Sequence, residues 1–202
     1  ADLLSIWDEQ LIQYGSQVMH RRALAIELMA KFAAASHSRI SGGDEILGMC
    51  YQPFYGNMGK VTSSISQEEI AQEFAKALDR NRPQELRRGT TLVGPQRDDI
   101  VFEIDGKDAR QFASQGQQRT VVLATKLAEL EFMREEVGEY PILLLDDVLS
   151  ELDFSRRSAF LETIGNKVQT LLTTTDRGSF RSTDLMRSQE YTISEGQLIS
   201  EG

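Results

Sequence analysis

Apolar residues recur every seven positions along the start of the chain. Leu4, Leu11, Val18, Ala25 and Phe32 form one line, and Trp7, Tyr14, Leu28 and Ala35 a second, with Arg21 its one break. A repeat of this period marks a helix that lays a narrow stripe against a long helical partner. A helix is therefore expected over residues 3–35, with its partner over 66–82. In the partner, Ser66 and Glu69 form an S-x-x-E capping box, Ile65 and Ile70 are spaced as a hydrophobic staple, and Ile70, Phe74 and Leu78 make the stripe. The residue before a proline is steered away from helix, so this helix should stop ahead of Pro83. Between the two, "SGGDEILGMCYQPFYGNMG" mixes glycines with short apolar runs, as a compact β-containing tip or crossover does.

From Thr90 the pattern changes to strand, loop, helix, strand. "TTLV" and "IVFEI" (100–104) read as strands, "DGK" (105–107) as a hairpin turn, and 120–137 as a helix closed by Gly138. "ILLL" (142–145) is then expected as a fully buried strand, Asp153 as the cap of a helix through Ile164, and "VQTLLTTT" (168–175) as another buried strand. "YTISEGQLIS" fits a last hairpin around Glu195-Gly196. The fold class is α/β with a largely parallel sheet over residues 90–202, preceded by a helical, coiled-coil-like arm over residues 1–89.

Charge narrows the functions open to such a chain. Its 202 residues carry a net charge of −9, with 10 Lys/Arg against 11 Asp/Glu before residue 91 and 12 against 20 after it. The acidic second half argues against wrapping nucleic acid unaided, because phosphate contacts need clustered positive charge. No apolar run approaches the roughly 18 residues that span a bilayer, so no membrane role and a cytoplasmic location are expected. The single cysteine, Cys50, lies in "ILGMCY" and reads as a core residue, and His20 and His37 read as surface or seam residues of the first helix. The chain opens at Ala1 directly into helical periodicity, which reads as a piece of a longer protein.

Three constellations could carry chemistry. Asp146 and Asp147 end an apolar strand, where an acid is placed to hold a hard cation such as Mg²⁺ and a second to orient or deprotonate water. The alternative is one carboxylate satisfying backbone amides while the other is solvated. "SQGQQRT" (114–120) opens a helix, and its Ser and Gly offer a hydroxyl, close backbone approach and free N–H groups to a phosphate, or simply an N-cap. In "GPQRDD" (94–99), Arg97 is either a tethered arginine for an anion or a neighbouring subunit, or a surface turn residue. A stand-alone two-metal hydrolase is disfavoured, since neither histidine lies near the aspartates in sequence and no further carboxylates accompany them.

In this order, "GPQRDD", "SQGQQRT" opening a helix, and "PILLLDDVLSELD" resemble the C-terminal portion of the RecF family, bacterial recombination mediators among the ABC-type ATPases related to SMC proteins. The resemblance covers nearly the whole chain, with the heptad helices matching the family's arm and the rest its second ATPase lobe. It implies that Ser114, Gly116 and Gln117 contact the γ-phosphate of ATP bound by the opposite protomer. It further implies that Asp146 holds Mg²⁺, that Asp147 occupies the catalytic-base position, that Ser150, Glu151, Leu152 and Asp153 form a D-loop crossing the dimer interface, and that Thr175 falls at the switch position. The implied partners are DNA, RecR and RecO, and a second copy in an ATP-dependent homodimer.

The sequence also departs from the family pattern. Asp147 stands where Glu is usual and Thr175 replaces the switch His, so slow turnover is expected; Gln96 also stands where His is frequent. No G-x-x-x-x-G-K-[ST] loop occurs in these residues; in the family it belongs to the preceding lobe, so the chain by itself is not expected to bind ATP tightly or hydrolyse it. Two readings follow: the signature half of an ATP-gated DNA-binding recombination mediator, or a module that docks RecR or RecO without nucleotide chemistry of its own.

Overall fold

A computed structural model describes residues 2–53, 62–147, 149, 152–165, 167–175, 180 and 188–200. The chain divides into two compact units, Ala1–Tyr140 and Pro141–Gly202. The first holds α1 (Asp2–Ser41), β1 (Leu47–Gln52), α2 (Gln67–Arg88), a 3₁₀ turn (Pro95–Arg97), β2 (Asp99–Ile104), β3 (Lys107–Asp108), α3 (Ala109–Phe112) and α4 (Gln115–Val137). The second holds β4 (Leu143–Asp146), α5 (Phe154–Ile164), β5 (Thr170–Thr173), β6 (Tyr191–Ser194) and β7 (Gln197–Ser200). The change of pattern at residue 90 falls inside the first unit, because β2 pairs antiparallel with β1 from Leu47↔Ile104 to Gln52↔Asp99 and α4 packs on α1.

The heptad in α1 is real, but its buried register differs from the expected one. Trp7 is 66% exposed, Tyr14 60%, Leu4 44% and Val18 40%, whereas Ser16, Met19, Ala23, Ile26, Ala33, His37 and Ile40 are buried. With the partly buried Ala30, these step along the helix by alternating threes and fours. Small and polar side chains line much of this seam, so its period is not carried by apolar residues alone. Small residues let neighbouring backbones come close, and α1 packs against α4, β1 and α2 rather than α2 alone.

The α2 helix starts as expected. Ser66 Oγ accepts from Glu69 N–H at 3.2 Å, and a Glu69 carboxylate oxygen accepts from Ser66 N–H at 2.9 Å. It does not stop before Pro83 but runs to Arg88 and closes on left-handed Gly89. A proline already has helical φ, so the local cost is its missing N–H and ring crowding. The last turns are held from outside: Arg82 pairs with Asp8 of α1, and the buried Glu85 accepts from Leu92 N–H at 2.7 Å.

Parallel pairing is present as β4–β5, with Leu143↔Thr170 through Asp146↔Thr173, while β1–β2–β3 and β6–β7 are antiparallel. "TTLV" is not a strand; its buried Val93 instead joins the core cluster beneath α1 and α2. Nor are β4 and β5 buried on both faces. Leu145 is buried, but Ile142, Leu144 and Leu171 are exposed, because two strands leave one face bare among the described residues. The turns follow expectation: Asp105-Gly106 and Glu195-Gly196 both take positive φ, as tight hairpins require. Cys50 is half-buried, His37 lies in the seam, and the 54–59 part of the expected tip falls outside the described residues.

Gly15 shows how close the seam is. A Cβ there would meet Cε1 of the fully buried Phe74 at 2.7 Å. Alanine should gain about 1 kcal/mol of helix propensity, yet the contact cannot relax without moving the core, at a cost of about 1–3 kcal/mol. Gly15→Ala is therefore expected to lower stability in denaturant unfolding; a raised midpoint would show that the seam has slack.

Candidate functional site

Ser114 and Gln117 open α4 in the first unit. Ser114 is the N-cap: its Oγ accepts from Gln117 N–H at 3.3 Å, and Gln117 Oε1 accepts from Ser114 N–H at 2.8 Å. The hydroxyl spends a lone pair on the cap and retains its proton as a donor. Gly116 lies in the first turn, its carbonyl accepting from Thr120 Oγ1 at 2.9 Å. The Gln117 side chain is occupied at both ends, because Nε2 also donates to Glu45 Oε1 at 2.8 Å. Exposed Ser114 thus presents a hydroxyl at the positive end of a long helix, an arrangement suited to an anion.

Asp146 and Asp147 end β4 in the second unit, both exposed. Thr173, opposite Asp146 in the parallel register, donates its hydroxyl to Asp146 Oδ1 at 2.6 Å and accepts from Asp147 N–H at 3.1 Å. Asp147 has a φ of 51°, a left-handed conformation that aspartate tolerates better than most residues. One acid thus closes the strand while the other turns the chain. Among the described residues no group of three or more His, Cys, Asp or Glu side chains is assembled to hold a metal.

Of the expected D-loop, Ser150 and Glu151 lie outside the described residues. Leu152 is buried, and Asp153 caps α5, accepting from Arg156 N–H at 3.0 Å. Thr175 is exposed beyond the end of β5. Arg97 is exposed on the 3₁₀ turn, a fold made by the residues around it. Gly94 there has a φ of 126°, and the following Asp98 side chain, 1% exposed, accepts from Tyr51 O–H and lies 4.0 Å from Arg22.

No family model matches the chain. Proteins described as "DNA replication and repair protein RecF" do: that of Nostoc punctiforme is 46% identical over 197 residues, 97% of this chain and 51% of its own length. Those of Synechocystis and Halalkalibacterium halodurans are 44% and 40% identical over 96% and 99% of this chain. The solved "recombination mediator protein RecF-ATPrS in RecFOR pathway" matches all of this chain with a TM-score of 0.81 at 32% identity. The RecF-ATP structure does so at 0.76 and 31%. The chain belongs to the RecF family.

It spans about half the length of the RecF relatives it matches, covering 51% of the first. Three residues at or beside the candidate RecF elements escaped the sequence reading. Thr173 was overshadowed by Thr175, although a residue paired with a strand-end acid in a parallel ladder is placed to touch it. Buried Arg157 donates to the carbonyls of Leu149 at 3.1 Å and Leu152 at 2.9 Å. Its spacing from Asp153 suggests only an ordinary helical ion pair. Glu45 lies 72 residues from Gln117, and no local pattern joins them.

The buried Tyr51–Asp98 contact is open to measurement. Burial, then the hydrogen bond and charge of Asp98, push the Tyr51 phenol well above its ordinary value. Tyr51→Phe should cost about 1.5–3 kcal/mol at neutral pH, the range for a hydrogen bond to a charged group. Because the folded pKa is raised, that stability is complete below the unfolded value of about 10 and lost as pH rises through the higher folded one. The gap between wild type and Tyr51→Phe in thermal unfolding should therefore narrow above that point; a gap that widens there would refute the assignment.

Proposed function

We propose that this chain is the signature-bearing half of an ATP-gated, DNA-binding protein of recombinational repair. The observation that carries the reading is the match of this chain's whole length to a solved RecF-ATP structure, of which it spans 51%. In this reading residues 1–89 are the arm and 90–202 the second ATPase lobe. Ser114, with Gly116 and Gln117 in the same turn, closes on the γ-phosphate of a nucleotide held by another protomer's P-loop. The Ser114 hydroxyl donates, and the α4 N-terminus favours the negative charge.

Asp146 suits Mg²⁺ as this ion is usually held beside phosphates. Mg²⁺ keeps several waters and takes one or two carboxylates, and Asp146 has an oxygen to spare beyond the one Thr173 engages. When bound, the ion would neutralise charge on the phosphates. Asp147 is the water-orienting carboxylate in this reading, and Thr175 a neutral hydroxyl at the switch position. Ser150, Glu151, Leu152 and Asp153 form the dimer-crossing D-loop, with Arg97 at the interface. ATP-dependent homodimerisation then clamps DNA, single-stranded, gapped or duplex, and slow hydrolysis releases it. No helix among the described residues is long and apolar enough to cross a membrane, and the proposed location is the cytoplasm.

In the longer protein that joins this chain to a P-loop lobe, Ser114→Arg places a cation and extra bulk against the partner's nucleotide. It should abolish ATP-dependent dimerisation in light scattering while leaving ATP binding by the monomer intact. Dimerisation at the wild-type level would rule the composite site out.

The exposed line of Leu4, Trp7, Tyr14 and Val18 favours a second reading, in which the arm docks a protein partner such as RecR or RecO. A pull-down of purified RecR by this chain without nucleotide should then succeed and fail with Trp7→Ala. Retention by both forms would remove the α1 face from the reading.

A further inference from the structure

Between α1 and β1 the chain turns through Gly42 and Gly43, both at positive φ. It is then clamped to the β2–β3 turn: Ile46 N–H donates to Asp105 Oδ1 at 3.0 Å, and Asp105 N–H donates to the Ile46 carbonyl at 2.9 Å. Glu45, next to this clamp, therefore leaves a fixed backbone. Its Oε1 accepts from Gln117 Nε2 at 2.8 Å, and Nε2 of the fully buried His37 lies 3.6 Å from Oε2.

A carboxylate accepts and cannot donate, so it dictates which way the Gln117 amide faces. With Nε2 turned to Glu45, Oε1 meets Ser114 N–H and completes the cap. The reverse orientation would set oxygen against carboxylate and NH₂ against N–H, losing both bonds.

We infer that Glu45 is a positioning residue for the signature turn: it locks the Gln117 amide, and through it the Ser114 N-cap whose hydroxyl is presented outward. The inference rests on Ser114 as the phosphate-facing group of the proposed ATP dimer. It gives Gln117 the part of a clip, since both ends of its amide are committed within the chain. It also ties the end of α1 to the start of α4 at the atoms that set the nucleotide contact.

The test compares Glu45→Ala, Glu45→Gln and Ser114→Arg in the longer protein, reading ATP-dependent dimerisation by analytical ultracentrifugation and monomer ATP affinity as the check on folding. Glutamine at 45 can still accept from Gln117, so Glu45→Gln should stay within about twofold of wild type, while Glu45→Ala should weaken the dimer by about fivefold, the scale of a lost helix cap. If Ser114→Arg abolishes the dimer and Glu45→Ala matches wild type, the inference falls and the composite-site reading stands. If Ser114→Arg dimerises normally, the reading itself falls. In the 202-residue chain, the ¹⁵N-labelled Gln117 side-chain amide should shift and exchange faster with solvent in Glu45→Ala but not in Glu45→Gln. An unmoved signal in Glu45→Ala would overturn the locking contact independently of nucleotide.

Discussion

The first unit depends on how closely other elements can approach α1. Its buried seam is built from Ser16, Ala23, Ala30 and Ala33 as much as from Met19, Ile26 and Ile40, and Gly15 leaves room for the Phe74 ring. Short side chains give little hydrophobic area each, but they bring more backbone and neighbouring apolar surface into contact. Val121, Ala124 and Ala128 of α4 belong to the same core cluster, as do Leu47, Met49 and Tyr51 of β1 and Ile70, Phe74 and Ala77 of α2. The register of α4 on α1 therefore fixes where α4 begins, and with it where Ser114 stands. The Glu45–Gln117 bond works only because this packing already brings the two ends together.

The second unit solves a different problem, that of two adjacent like charges at a strand end. Thr173 contributes a single hydroxyl that serves both residues, donating to the Asp146 carboxylate and accepting from the Asp147 amide. The left-handed backbone at Asp147 departs from the strand at that point. A neutral partner of this kind orients a carboxylate without cancelling its charge. Asp146 consequently keeps the capacity to attract a cation that an arginine or lysine partner would have consumed.

What the sequence made legible follows from how local each signal is. The Ser66–Glu69 capping box, the Asp153 cap, the Gly138 stop and the two hairpin turns depend on residues within four positions of each other, and all appear as read. The misreadings were decided at a distance. Pro83 continues its helix because Asp8 and Leu92 hold the turns around it. The heptad was assigned to its largest side chains, whereas the buried face is chosen by what can approach it. Strand burial was read from apolar runs, which cannot reveal how many strands a face will share. Thr173, Arg157 and Glu45 act through ladder register, backbone carbonyls and a contact spanning 72 residues, none of which leaves a pattern in the chain.

The charge balance gives the proposed reading a physical logic. Residues 91–202 carry 12 basic against 20 acidic side chains, so two copies brought together through this portion repel each other in the absence of a cation or a basic partner surface. The Ser114 turn offers donors and a helix dipole but no formal positive charge of its own, so a bare phosphate would gain only modestly there. A nucleotide already neutralised by Mg²⁺ and a P-loop lysine is a different object. In the proposed reading it brings cations to Asp146 and its neighbours and a phosphate edge to Ser114, turning a repulsive encounter into one with complementary groups. A contact made by Ser114, Gly116 and Gln117, none of them charged, is thus in the proposed reading better suited to a gate than to a tight nucleotide site. It adds little affinity until the other half of the site has supplied the charge, and its contribution then depends on the geometry of the Ser114 cap.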